Sequence, residues 1–365
     1  MKEFRVGLTR DLLAPDGSLT LGDLGLAELE GEPHISLEFF AEFRPEVTPE
    51  QIASYDAVIS LAPAYTRQTT QGADLRLSVL ARIGVGYDML DLEALSDRNI
   101  IVTITPDGVR RPMASGIAAV ILALAHQLPQ KERLVRRGGW KERTGIKSIG
   151  LTGRTLGSVG LGNIGREMFR VLQPFRMIHL ATDPYVDPKA ARELGVQLVD
   201  LETLMKESDF VCVNCPLTPE TRHLIGAIQL GWMKPTAFFI NTSRGAVVDQ
   251  AALYSALKEN RIRGAALDVF EAEPIAAGDP LLALDNVIAT PHSLCWTDEC
   301  FRLMGESAVR SVLAVLRGDQ PSYVVNHSVL KQPAMQAKLD SNRLRWKSAT
   351  EGNRLGHKSA QADLA

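Results

Sequence analysis

Thr155-Leu-Gly-Ser-Val-Gly160-Leu-Gly162-Asn163-Ile164-Gly165 is the stretch around which the chain is organised. A short apolar run enters three glycines spaced G-x-G-x-x-G, and a helical pattern leaves from Ile164 to about Leu172. Gly160 lets the main chain turn tightly at a strand end, Gly162 lets a pyrophosphate approach the backbone, and Gly165 lets the helix lie close on the strand. The helix N-terminus offers free N–H groups and partial positive charge to phosphates. Such a loop gains meaning from its context: a strand before, a helix after and an acid at the end of the next strand. Here Ile178-His-Leu-Ala-Thr182 reads as that strand and Asp183 follows it. An acid there accepts hydrogen bonds from both ribose hydroxyls and repels a 2′-phosphate, so the expected cofactor is NAD rather than NADP.

Downstream of Leu156 a series of βα units continues. Its strands are expected at 156–159, 178–182, 197–199, 210–213, 237–240, 264–267 and 287–289, which makes a doubly wound sheet of Rossmann type. Upstream, strand-like runs at 4–8, 34–39, 56–61, 75–83 and 99–104 alternate with helical or polar stretches. That alternation means a second parallel sheet covered by helices, without a phosphate loop of its own. Thr105-Pro-Asp-Gly108 breaks the pattern, and Pro112 is expected to open a helix reaching about Arg137. Its small residues Ala114, Ser115, Gly116, Ala118 and Ala119 allow close packing, either within the subunit or against a second one. A last amphipathic helix from Asp298 to about Arg317 is too short an end to be a domain and is expected to cross back to the first one. The fold class is therefore α/β, with two parallel-sheet domains, Rossmann-like and flavodoxin-like. The first is discontinuous, over 1–104 plus 299–330, and the second covers 105–298.

The totals narrow the partners. With 365 residues, 45% hydrophobic and 23% charged, the chain suits two soluble globular domains. A net charge of −3 gives no reason to expect nucleic acid or an anionic membrane. Met1–Leu8 goes directly into a strand-like run and no apolar run is read as long enough to span a membrane, so the expected location is the cytoplasm. Cys212 and Cys215 have C-x-x-C spacing, but strand alternation puts them on opposite faces, so buried free thiols are expected and no metal. Residues 331–365 hold seven Lys or Arg against three Asp or Glu with no clear apolar period, and read as a solvated, disordered tail.

Three polar residues stand at strand ends of the second series, where ligands sit in open α/β sheets. Arg244 follows Phe238-Phe-Ile-Asn-Thr-Ser, Glu273 lies in Leu267-Asp-Val-Phe-Glu-Ala-Glu-Pro274, and His292 ends Ile288-Ala-Thr-Pro-His292. A guanidinium fork can hold a carboxylate and polarise the carbonyl beside it. An imidazole can give a proton to the forming alkoxide and take it back in reverse. A carboxylate bonded to that imidazole fixes its orientation and favours its charged form.

At these residues the chain resembles the D-isomer-specific 2-hydroxyacid dehydrogenases, over about residues 55–325. Gly160-Leu-Gly-Asn163-Ile164-Gly165 is similar to the family's cofactor loop. Pro216-Leu-Thr-Pro-Glu-Thr221, Asn241-Thr-Ser-Arg-Gly245, Asp268-Val-Phe-Glu-Ala-Glu-Pro274 and Pro291-His292 match its other motifs. The resemblance implies catalytic roles for Arg244, Glu273 and His292, and cofactor contacts from the glycine loop and the Pro216–Thr221 segment. It also implies Asp268 near the nicotinamide carboxamide, and the main chain of Gly84 and Val85 against the substrate carboxylate. Members have two similar domains with the active site in the cleft between them, act on small 2-keto or 2-hydroxy acids, and are usually homodimers.

Departures from the family pattern bear on the substrate. Met113-Ala-Ser115 stands where Val-Ala-Glu is common, Val109-Arg110-Arg111 where smaller residues are, and Ser293-Leu-Cys-Trp296 where small residues follow the histidine. Arg110 or Arg111 is a candidate for a second anionic group on the substrate, against the alternative of a solvated arginine pair. Trp296 is a candidate pocket wall, against a tryptophan packed between domains. A second functional reading is an NAD-sensing co-repressor, since such members keep the Arg-Glu-His set; NADH oxidation with a panel of keto acids discriminates the two. Formate oxidation is disfavoured because those members have Gln where this chain has Glu273.

Overall fold

The computed structural model describes residues 3–32, 34–72 and 75–362, the side chains of 349 and 351–362 excepted. The chain divides into two compact units, one of residues 1–109 and 297–365, the other of 110–296. In the first, β1 (Phe4–Leu8), β2 (Ile35–Phe39), β3 (Ala57–Ser60), β4 (Val79–Arg82) and β5 (Ile101–Thr103) form an all-parallel sheet in the order β2-β1-β3-β4-β5. This is the flavodoxin-like order. Every residue of β3 and β5 is buried, as expected of strands covered on both faces.

The helix Asp298–Leu316 lies against β3 and β4, so the chain does return to the first sheet. Asn326 fixes that return. Its amide donates to the Ile100 carbonyl and the Ser96 hydroxyl at 2.9 Å each, and its oxygen accepts from Val102 N–H at 2.9 Å.

The expected disordered tail is corrected. Pro333–Ala362 is a helix, and only 363–365 of that tail lie outside the described residues. Met335, Lys338, Leu339 and Asn342 share one face, with Met335, Leu339 and Asn342 buried. The Lys338 ammonium donates to the carbonyls of Leu77 (2.7 Å), Asn99 (3.1 Å) and Arg98 (3.3 Å), and burial pulls its pKa down to about 8. Asn342 donates to Val315 O at 3.1 Å, and Arg345 pairs with Asp56 at 3.3 Å. Two members of the buried stripe are polar groups satisfied by carbonyls, which is why no apolar period showed.

In the second unit, β6 (Thr155–Val159), β7 (Ile178–Thr182), β8 (Gln197–Leu198), β9 (Phe210–Val213), β10 (Phe238–Asn241), β11 (Gly264–Leu267) and β12 (Val287–Ala289) are all parallel. Their order, β12-β11-β10-β9-β6-β7-β8, reverses between β6 and β9. That reversal is the switch point at which such sheets bind ligands. The glycine loop leaves β6 there.

One helix differs from expectation. It starts at Pro106, not Pro112, and ends at His126; Gln127 is left-handed (φ 50°) and a second helix covers Leu128–Arg136. Pro106 takes the first helical position, where its missing N–H is unneeded. Pro112 then lies inside the helix. A Cβ at Gly116 would lie 2.8 Å from the Leu294 carbonyl oxygen, so that position packs within the unit, whereas Ser115 and Ala119 of the same set are exposed. The expectation that no run reaches spanning length is also corrected. By length and composition Pro106–His126 is long and apolar enough to cross a membrane, although most of it is buried in the protein, as core helices are.

Candidate active site

The glycine loop is built for close approach. Gly160 has φ +97°, and a Cβ there would lie 2.7 Å from Cys215 N on the neighbouring β9 connection. A Cβ at Gly165 would sit 2.8 Å from the Gly160 carbonyl oxygen. At Gly162 a Cβ would meet nothing within 4 Å, so the space beside that main chain is open. Helix Asn163–Leu172 begins immediately after it, with Asn163 and Ile164 in the first turn and no side chain capping its N-terminus. Asp183 is held from both sides: Oδ2 accepts from Leu161 N–H (2.8 Å) and Oδ1 from Tyr185 N–H (2.9 Å). Each oxygen keeps a lone pair for a ribose hydroxyl. These residues fit a dinucleotide: open space beside the Gly162 main chain, an uncapped helix N-terminus and a fixed acid after β7.

Two groups that the sequence reading passed over support the loop. The buried Ser158 hydroxyl donates to the Gly160 carbonyl at 2.6 Å and accepts from the Asn214 amide at 2.9 Å. Thr221, by contrast, turns inward: its hydroxyl donates to Pro216 O (2.6 Å) and accepts from Thr218 N–H (2.7 Å), so it shapes the Pro216–Thr221 turn. Asp183→Asn removes the charge while keeping the shape. We expect it to weaken NADH binding about tenfold or more, since hydrogen bonds to a charged acceptor contribute about 1.5–3 kcal/mol. Fluorescence titration giving an unchanged Kd would contradict this.

Arg244, Glu273 and His292 leave the C-terminal ends of β10, β11 and β12, three neighbouring strands of one sheet. His292 Nδ1 lies 2.7 Å from Glu273 Oε2, and Glu273 Oε1 accepts from Phe270 N–H at 2.9 Å. The bond to Glu273 raises the His292 pKa above the usual imidazole value, against burial and the Arg244 charge, which both lower it. Burial works to raise the Glu273 carboxyl, but the bonds from His292 and Phe270 and the charges of His292 and Arg244 outweigh it and hold it below its usual range. Arg244 is thus near enough to act electrostatically on both partners. With Nδ1 committed to Glu273, the ring's other nitrogen is the one left to exchange a proton.

The backbone around the pair is tightly specified. His292 has φ +54°, a left-handed conformation that costs a non-glycine residue about 1–2 kcal/mol. Asp268 holds it there. Its carbonyl accepts from His292 N–H (2.8 Å), and its carboxylate accepts from Thr290 Oγ1 (2.6 Å), Ser293 N–H (3.0 Å) and Leu294 N–H (3.1 Å). With only 1% exposure, Asp268 anchors the segment that carries the histidine. Gly245, next to Arg244, is pressed on the glutamate loop: a Cβ there would lie 1.9 Å from the Phe270 carbonyl carbon. Gly245→Ala must displace that loop. It should lower the melting temperature by on the order of 5–10 °C and activity with it, from overpacking of roughly 2–3 kcal/mol. A calorimetric scan with unchanged Tm would refute the contact.

The remaining candidates fall elsewhere. Gly84 and Val85 follow β4 in the first unit; Gly84 has φ +118° and already donates its N–H to Thr105 Oγ1 at 2.7 Å. Arg111 pairs with Glu167 at 2.8 Å, tying its helix to the one that follows the glycine loop. Trp296 is 54% exposed, beyond His292. All four cysteines are free, Cys212 on β9 and buried; burial pushes the Cys215 thiol up to about 11.

The chain has relatives among known proteins. The family model described as "D-isomer specific 2-hydroxyacid dehydrogenase, NAD binding domain" matches residues 118–293. A glyoxylate reductase of Korarchaeum cryptofilum is 40% identical over 313 residues, 84% of this chain and 94% of that protein. A D-3-phosphoglycerate dehydrogenase of Methanocaldococcus jannaschii is 41% identical over 279 residues, 76% of this chain, which spans only 53% of that protein's length. Among solved structures, the TT0316 protein of Thermus thermophilus superposes with a TM-score of 0.77 at 32% identity, covering 88% of this chain and all of that one. The chain belongs to the D-isomer-specific 2-hydroxyacid dehydrogenase family, and its cofactor is NAD.

Proposed function

We propose that the protein reduces a short 2-keto acid to the D-2-hydroxy acid, and catalyses the reverse oxidation, with Arg244, Glu273 and His292 as its catalytic residues. The observation that carries this reading is the 2.7 Å His292–Glu273 pair beside Arg244, on the same sheet end as the glycine loop. Bound NADH supplies the hydride that adds to C2. Arg244 holds the substrate carboxylate and draws charge toward the C2 oxygen. His292, protonated because Glu273 is bonded to it, hands its proton to that oxygen as the alkoxide forms. In oxidation the neutral imidazole takes the proton back.

Glyoxylate is the first substrate to test, because relatives matched over most of their length are named for its reduction. The Arg111–Glu167 pair supports a mono-anionic substrate, since one of the two arginines considered for a second anion already has a carboxylate. We further propose a homodimer located in the cytoplasm. The test is NADH oxidation with glyoxylate, hydroxypyruvate, pyruvate and phosphohydroxypyruvate, each repeated with NADPH. Turnover of the mono-anionic acids with a preference for NADH is expected. No turnover of any of them would overturn the reading.

A further inference from the structure

The loop Phe270–Pro274 carries two glutamates, and each meets a histidine. Glu273 meets His292. Glu271 Oε1 lies 2.7 Å from His223 Nε2, a residue on the connection after β9 and outside every motif assigned above. The same oxygen accepts from Gln250 N–H at 3.3 Å, at the start of helix Gln250–Lys258. Gln250 in turn returns its side-chain oxygen to Glu271 N–H (3.1 Å) and its amide to Asp279 (3.2 Å). His223 is itself fixed, with φ +51° and its N–H on the Ala246 carbonyl at 2.9 Å. Ala246 lies two residues beyond Arg244. The Phe270–Glu271 peptide is the group pressed against Gly245.

One short loop therefore links the guanidinium segment on one side and the imidazole's partner on the other. Its position is set by what holds Glu271. We propose that His223 and Glu271 are positioning residues for the reaction: their pair clamps the Phe270–Pro274 loop, so that Glu273 stays on His292 and the Arg244–Gly245 segment stays in register with both. Neither residue touches the reacting atoms. Loss of either lets the loop drift, Glu273 moves off Nδ1, and His292 is left facing the Arg244 charge with only Asp268 to offset it. A shift of about 1 Å in such a constellation is enough to cost on the order of a hundredfold in rate.

This inference rests on the proposed dehydrogenase reading, so its test has a readout that needs no substrate. His223→Asn keeps a residue type that tolerates the left-handed backbone but is too short to reach Glu271. Glu271→Ala removes the acceptor, whereas Glu271→Gln can still accept from both His223 and Gln250. The titration of the His292 ring, followed by proton NMR in the free protein, should move to lower pH in His223→Asn and Glu271→Ala and stay near wild type in Glu271→Gln. With a keto acid, kcat should fall by roughly ten- to a hundredfold in the first two variants with NADH Kd within about twofold of wild type. The double variant should be no worse than the poorer single one, as for residues acting as a unit. A His292 titration unmoved in folded His223→Asn and Glu271→Ala proteins would overturn the proposal, as would strictly additive losses. Absence of keto-acid turnover by the wild type would overturn the functional reading instead, and leaves the NMR result to decide the clamp.

Discussion

His292→Asn should lower kcat for keto-acid reduction by about 10³- to 10⁴-fold while leaving NADH binding intact. Asn accepts a left-handed backbone better than other side chains. The variant therefore keeps φ +54° and the Asp268 carbonyl contact, and the loss isolates chemistry from folding. What disappears is the proposed proton donor. A positioned general acid contributes typically 10²–10⁴-fold, and the charged form of His292 is favoured here by the Glu273 bond at 2.7 Å. Stopped-flow NADH oxidation with a parallel fluorescence titration of NADH measures both quantities. A variant within tenfold of wild-type kcat would remove His292 from the mechanism.

Replacement of Arg244 should have the second-largest effect, and its form is diagnostic. Truncating one partner of a desolvated charged hydrogen-bond pair costs about 2–5 kcal/mol, or roughly 30- to 5,000-fold in kcat/KM. Arg244→Lys keeps the charge but not the planar fork, so most of that loss should remain. The pH dependence adds a second signature. The Arg244 charge lowers the His292 pKa. Removing it in Arg244→Ala should raise that pKa further, so residual reduction activity should persist to higher pH than in the wild type. Equal kcat/KM for Arg244→Lys and wild type would show that no bidentate contact is made.

Much of this was legible in the sequence because the signals are local. Apolar runs bounded by polar residues marked the strands of both parallel sheets, and the Gly160–Gly165 spacing followed by Asp183 marked the loop at the switch point. Motif positions also pointed to Arg244, Glu273 and His292, each at a strand end. What escaped depends on groups far apart in the chain. The Pro333–Ala362 helix hides its buried face because Lys338 and Asn342 are satisfied by carbonyls of residues 77–99 and 315. Pro112 misplaced a helix start because an earlier proline, Pro106, already filled the first-turn position. The resemblance implied Asp268 near the nicotinamide carboxamide, but not its hold on the His292 segment, because its hydrogen bonds run to Thr290, Ser293 and Leu294 more than twenty residues on. His223 and Glu271 meet only because β9, β10 and β11 are neighbours in the sheet.

In the proposed reaction Glu273 keeps His292 charged so that the imidazole can act as the acid, and the pH dependence of kcat/KM for keto-acid reduction measures this pairing. His292 has a raised pKa, so reduction should be fully active below it and fall tenfold per pH unit above it, with oxidation showing the mirror-image rise. Glu273→Gln removes the carboxylate while keeping its shape, and the falling limb of the reduction profile should move to lower pH. Coincident limbs for wild type and Glu273→Gln would contradict the account.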